Sequence, residues 1–121
     1  MIEPPKMYIF INSDLNMSGG KIASQASHIT HQIVEELVRN GYEQFPPSEE
    51  YKTYMRWNKN CTKIVLKGTT EQLLELLKIP NSRGFYDNGQ TTQGTANSLT
   101  VVGFFPCANI DGLDINKFKL L

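Results

Sequence analysis

The order in which two periodicities alternate along this chain restricts its fold more than any other feature. Lys6–Ser13 reads KMYIFINS, β-branched and aromatic in the middle and closed by the turn-formers Asn12, Ser13 and Asp14, as a buried strand does. Helical spacing follows at once. Ile22, Ala26, Ile29, Ile33 and Leu37 recur at steps of four, three, four and four, and Gly41 after Asn40 is a helix stop. Ser48 predicts the cap of a second helix running to about Asn58, with Glu49 and Glu50 suited to its positive end. Thr62–Lys67 reads as a strand. Thr69 and Gln72 form the capping box of a third helix, for which Leu73, Leu74, Leu76 and Leu77 are the expected core face. A short strand at Arg83–Tyr86, a polar loop from Asp87 to Ser98 and an apolar strand at Leu99–Phe105 complete the pattern.

Strand, helix, strand, helix, strand is the order that yields parallel neighbours through right-handed crossovers. The last two strands lack an intervening helix, so the final one is expected to run antiparallel to at least one neighbour. The predicted fold class is α/β: a single domain over residues 1–121, with a small mixed sheet of about four strands flanked by helices.

Composition narrows what such a domain does. The 121 residues are 40% hydrophobic and carry 12 Lys plus Arg against 12 Asp plus Glu. A core is affordable without metal or disulfide staples, and zero net charge argues against non-specific nucleic-acid binding as the main trade. A local basic patch stays open. Splitting the chain after Asn60 gives 6 basic and 7 acidic residues before it, 6 and 5 after it, so there is no charged tail. Met7–Ile11 is far short of the roughly 20 apolar residues of a membrane span, so the expected setting is cytoplasmic, with no membrane partner. Cys61 and Cys107 fit no metal-ligand spacing and read as reduced, packed thiols.

Chemistry can sit in two segments. In the first, Asp14–His28, the residues Lys21, Gln25 and His28 are spaced four and three apart and share a helix face, read as displaced from the apolar stripe of Ile22, Ala26 and Ile29. Lys21 lies in the first helical turn, where a cation opposes the dipole at about 0.3 to 1 kcal/mol. Gly19 and Gly20 leave backbone N–H groups approachable, so the helix start suits a phosphate or an oxyanion. The same spacing also describes a solvated helix face. Gly-Gly-Lys is not a P-loop, because the leading glycine and the hydroxyl residue after Lys are missing.

The second segment, Asp87–Thr100, offers a carboxylate and several hydroxyls. Asn88-Gly89 is a hairpin signal, but Gln90–Asn97 has no apolar alternation, which favours a working loop over a tight turn. His28 reads either as a hydrogen-bonded structural side chain or as a substrate contact. Tyr51, Tyr54 and Trp57, at steps of three, read as core or groove wall before a base-stacking platform. A thiol hydrolase built on Cys61 or Cys107 with His28 would need a spatial pairing that the sequence does not display.

Together these segments resemble the type 2 peptidyl-tRNA hydrolases of archaea and eukaryotes. The family's first motif, Arg-x-Asp-Leu-x-Met-x-x-Gly-Lys-x-Ala-x-Gln-x-x-His, is matched by Asp14, Leu15, Met17, Gly20, Lys21, Ala23, Gln25 and His28. The second, Asp-Ala-Gly-x-Thr followed by a Thr-bearing strand and Gly-x-x-Pro, is matched by Asp87, Gly89, Thr91, Thr100, Gly103 and Pro106. Asn12 stands where the family usually has Arg, Asn88 where it has Ala, and Gln90 where another Arg is common.

The resemblance implies hydrolysis of the ester joining a peptide to the 3′-terminal ribose of tRNA. It implies Lys21, Asp87, Thr91 and Thr100 as catalytic residues, with Gly20, Gln25 and His28 contacting peptidyl-tRNA, and it suggests a homodimer. No metal or organic cofactor is required by this chemistry, and no metal ligands are assigned. Lys52, Arg56, Lys59, Lys63 and Arg83 are candidates by charge for the acceptor stem. With the arginines replaced, the same scaffold also fits a non-catalytic tRNA- or protein-binding module.

Overall fold

In the computed structural model, which describes residues 3–87 and 98–121, five strands form one mixed sheet. The elements run β1 (Met7–Asn12), α1 (Gly19–Gly41), α2 (Glu49–Trp57), β2 (Lys63–Gly68), α3 (Thr70–Leu76), β3 (Ser82–Asp87), β4 (Ser98–Phe104) and β5 (Lys119–Leu120), in sheet order β3-β4-β1-β2-β5. β1 and β2 are parallel, as their helical crossover dictates. β4 enters between β1 and β3 and is antiparallel to both, which realises the mixed sheet expected from the missing last helix. The α/β class stands; the strand count is five rather than four. β5 was missed because two residues carry no period, and it is held by pairing with the end of β2.

The sheet has a helix-bearing layer on each side. On one, Ile9, Ile11 and Val101 pack with Ile29, Ile33 and Leu37 of α1 and with Tyr54 and Trp57 of α2. On the other, Tyr8, Phe10, Leu66, Val102 and Phe104 pack with Leu73 and Leu76 of α3. Leu74, expected in that core face, is exposed, and Leu77 is half-buried at its margin. Seven helical residues span only two turns, too few to bury four leucines on one face. Tyr54 and Trp57 are core and Tyr51 packs half-buried against them, as the spacing of the three aromatics predicts.

Two glycines permit close packing around α1. A Cβ on Gly103 of β4 would stand 2.9 Å from both Ile29 Cγ1 and Ile33 Cδ1, and one on Gly41 would meet the Tyr51 ring at 2.4 Å. The first lets the helix lie close on the sheet, and the second lets α2 lie close on α1. The caps are those the sequence predicts: Ser48 for α2 and the Thr69/Gln72 box for α3.

Candidate active site

α1 delivers the first half of the site. Its buried positions are Gln25, Ile29, Ile33, Leu37 and Gly41, each four residues from the next, and Lys21 is one further step toward the N-terminus. Lys21 and Gln25 therefore head the packing stripe itself and do not lie on a displaced polar face, while Ile22 and Ala26 flank the stripe half-buried. The stripe follows steps of four, whereas the apolar letters alone suggest a step of three through Ile29. His28 is exposed.

The second half arrives on β3 and β4. The Asp87 carboxylate closes β3 and its Oδ2 lies 3.1 Å from Lys21 Nζ, with the two side chains 5% and 10% exposed. Removed from water, such a pair is held by its geometry and by further hydrogen bonds. Thr100 of β4 is 1% exposed. Its hydroxyl lies 2.5 Å from the Gln25 side-chain oxygen and 3.1 Å from the Phe85 carbonyl, so this one short contact set ties α1, β3 and β4 together. A hydroxyl carries one proton, which only one of these two acceptors can take at a time.

Around this cluster the start of α1 is open. Ser18 caps the helix by accepting the Lys21 N–H at 3.2 Å, and a Cβ on Gly19 or Gly20 would meet nothing within 4 Å among the described residues. Packing among the described residues therefore does not require glycine at either position. Their N–H groups, in the first turn, have no partner four residues back, so a negatively charged or partly negative oxygen could approach them beside the Lys21 ammonium. Lys21, Gln25 and Thr100 thus meet Asp87 at one end of the sheet, with Gly20 at its rim. Thr91 lies outside the described residues, as do Asn88, Gly89, Gln90 and the rest of the expected polar loop up to Asn97.

The carboxylate and amide of the first motif do structural work. Asn12 is buried at the end of β1: its side-chain nitrogen donates to Thr70 Oγ1 and to the Leu99 carbonyl, both at 2.8 Å, and its side-chain oxygen accepts the Asp14 N–H at 2.9 Å. Asp14 in turn accepts the Thr70 N–H at 2.8 Å. The position where Arg is usual in the resemblance is here an interior knot between β1, β4 and α3.

The cationic candidates divide. Arg83 grips Glu36 through two hydrogen bonds, of 2.8 and 2.5 Å, and lies over the Phe105 ring. That partner holds the Glu36 carboxyl below its usual range. Lys52 pairs with Glu49 and Lys63 sits over the Trp57 ring. Sequence reasoning missed Lys67 and Lys119. They are exposed and directly opposed across β2 and β5, a like-charge juxtaposition that costs stability unless an anion lies near. The topology alone reveals it.

The cysteines are both free, but Cys61 is exposed, not packed, because it follows α2 in a left-handed turn, at φ 55. Burial pushes the Cys107 thiol up to about 11, the opposite of what a nucleophilic thiolate needs. Among the described residues, no three His, Cys, Asp or Glu side chains gather as metal ligands, and no helix is long and apolar enough to cross a membrane.

With this geometry in place, comparison with known families is decisive. The family model of peptidyl-tRNA hydrolase PTH2 matches residues 5–114. The chain belongs to the peptidyl-tRNA hydrolase PTH2 family. That match spans both site segments, from the start of α1 to the end of β4 and beyond, and peptidyl-tRNA hydrolase activity is what membership implies. No curated protein matches the chain.

Proposed function

We propose that this chain hydrolyses the ester bond of peptidyl-tRNA, releasing peptide and free tRNA, and that Lys21 and Asp87 carry the reaction. The observation behind this reading is the 3.1 Å approach of Lys21 and Asp87, residues 66 positions apart, beside an open helix start. Ester hydrolysis needs an oriented water, a group facing the developing oxyanion and a route for one proton. The Asp87 carboxylate accepts a proton from water as the water oxygen bonds to the ester carbon. The carbonyl oxygen gains the negative charge opposite the Lys21 ammonium and the first N–H groups of α1. Collapse breaks the bond to the ribose oxygen, which leaves with the proton Asp87 took.

Lys21 has a second use. A lone buried carboxylate would repel a polyanionic substrate, and its ammonium cancels that charge at the point where the ester must approach. Thr100 and Gln25 keep β3, β4 and α1 in register around the pair. Thr91, on the resemblance, adds a hydroxyl for water or substrate. The family likeness also carries a homodimer and a cytoplasmic setting into this proposal.

Purified protein incubated with peptidyl-tRNA should release free tRNA, and Asp87→Asn should slow the release by about a hundredfold to a thousandfold. Binding of tRNA with no release by the wild type would instead make it a non-catalytic binding module.

A further inference from the structure

The face of β3 turned toward α1 carries three residues, and each meets one helix side chain. Arg83 grips Glu36, Phe85 stacks on His28, and Asp87 pairs with Lys21. The outer two rungs are ion pairs. The middle one is a pair of flat rings, 4.9 Å between centroids and 24° between planes. His28 lies on Phe85 with one face and is otherwise exposed, which presents a second aromatic face outward.

Beside these rings a groove of about 490 Å³ runs along α1 from His28 to Asn40. Its charges are balanced within the protein: Arg39 pairs with Glu35, and Glu36 is held by Arg83. A groove so neutralised offers little to a phosphate. Two stacked rings, with the side-chain amides of Gln32 and Asn40 along the same groove, suit an uncharged heteroaromatic ring that bears donors and acceptors on its edge. Phe85 precedes Asp87 by two residues, about 7 Å along a strand, so the ring pair and the carboxylate are neighbours on the same face of β3.

We propose that His28, backed by Phe85, is the stacking platform for the nucleobase on the ribose whose ester is cleaved, the terminal adenine of tRNA. The ligand's identity rests on the hydrolase reading; the subsite rests on the ring pair and the neutral groove. Base-on-aromatic stacking is worth about a fivefold to a hundredfold in affinity when the ring is truncated to alanine.

The test is a titration of the intact protein with adenosine 5′-monophosphate, followed through the His28 ring protons by NMR, with ribose 5-phosphate as control. The nucleotide should move those protons upfield and the sugar phosphate should not. His28→Ala should weaken nucleotide binding by at least fivefold, and His28→Phe should restore it. Equal affinity for nucleotide in wild type and His28→Ala overturns the subsite, as does a His28 shift produced by N-acetylphenylalanine amide but not by the nucleotide. Loss of the subsite in a protein that still releases tRNA from peptidyl-tRNA leaves the hydrolase reading standing. Nucleotide stacking in a protein that releases none does the reverse.

Discussion

Lys21 and Asp87 are almost wholly out of water, so removing either charge strands the other. Asp87→Asn or Lys21→Met alone should lower unfolding free energy by about 3 to 5 kcal/mol, and the double variant should recover much of that loss, because an uncompensated buried charge costs more than a missing pair. Chemical denaturation of the four proteins forms the cycle; additive losses would mean that the ion pair contributes no coupling. At the thiols, the exposed Cys61 and the Cys107 raised to about 11 should react unequally. At pH 8, iodoacetamide should label Cys61 well before Cys107, as peptide mass mapping would show. Linkage gives the sign for Cys107: its contribution to stability is intact below the usual thiol value of 9 and fades as pH rises toward 11.

Among the elements, α1 and β3 depend on each other through the three rungs and through the glycine at β4. Gly103→Ala places a methyl 2.9 Å from Ile29 and Ile33, so it should lower stability by about 1 to 3 kcal/mol; an unchanged denaturation midpoint would mean that the helix shifts freely. The Arg83 rung predicts a pH dependence. Arg83 lowers the Glu36 carboxyl below 4.5, so the pair stabilises fully above that pH and its contribution is lost as pH falls through the lowered value. Glu36→Gln should therefore flatten the acid limb of the stability profile below about pH 4.5, measured by urea midpoints. Strand and helix periods made most of these elements legible in the sequence, since Ile9, Ile11, Ile29 and Ile33 announce their buried faces. β5 was not legible, because its two residues are fixed by a partner strand. Nor was the true stripe of α1, where Gln25 takes a core position that no apolar letter marks.

Across the whole molecule, the working groups collect where β1, β2 and β3 end and β4 begins, while the net charge is zero. Lys67 sits near that same end, three strand spacings across the sheet from β3, about 14 Å, and faces Lys119 across β2 and β5. If tRNA runs from the Lys21–Asp87 pair across the sheet end, replacing both lysines by alanine should reduce the slope of log affinity against log salt by about 1.4 to 1.8. An unchanged slope would place the tRNA backbone elsewhere. The motifs made Lys21, Gln25, Asp87 and Thr100 legible as chemistry-bearing residues. Their convergence was not, because it depends on β4 inserting between β1 and β3. That Asn12 closes an interior knot, with Asp14 tying its exposed edge to Thr70, was equally invisible, since a buried amide and an exposed one read alike. The most direct measurement is the single-turnover rate of ester cleavage with peptidyl-tRNA fully bound to excess protein. Lys21→Ala should cut that rate by about a hundredfold to a thousandfold with tRNA still bound, whereas a rate equal to the wild type's would contradict a reaction carried by this pair.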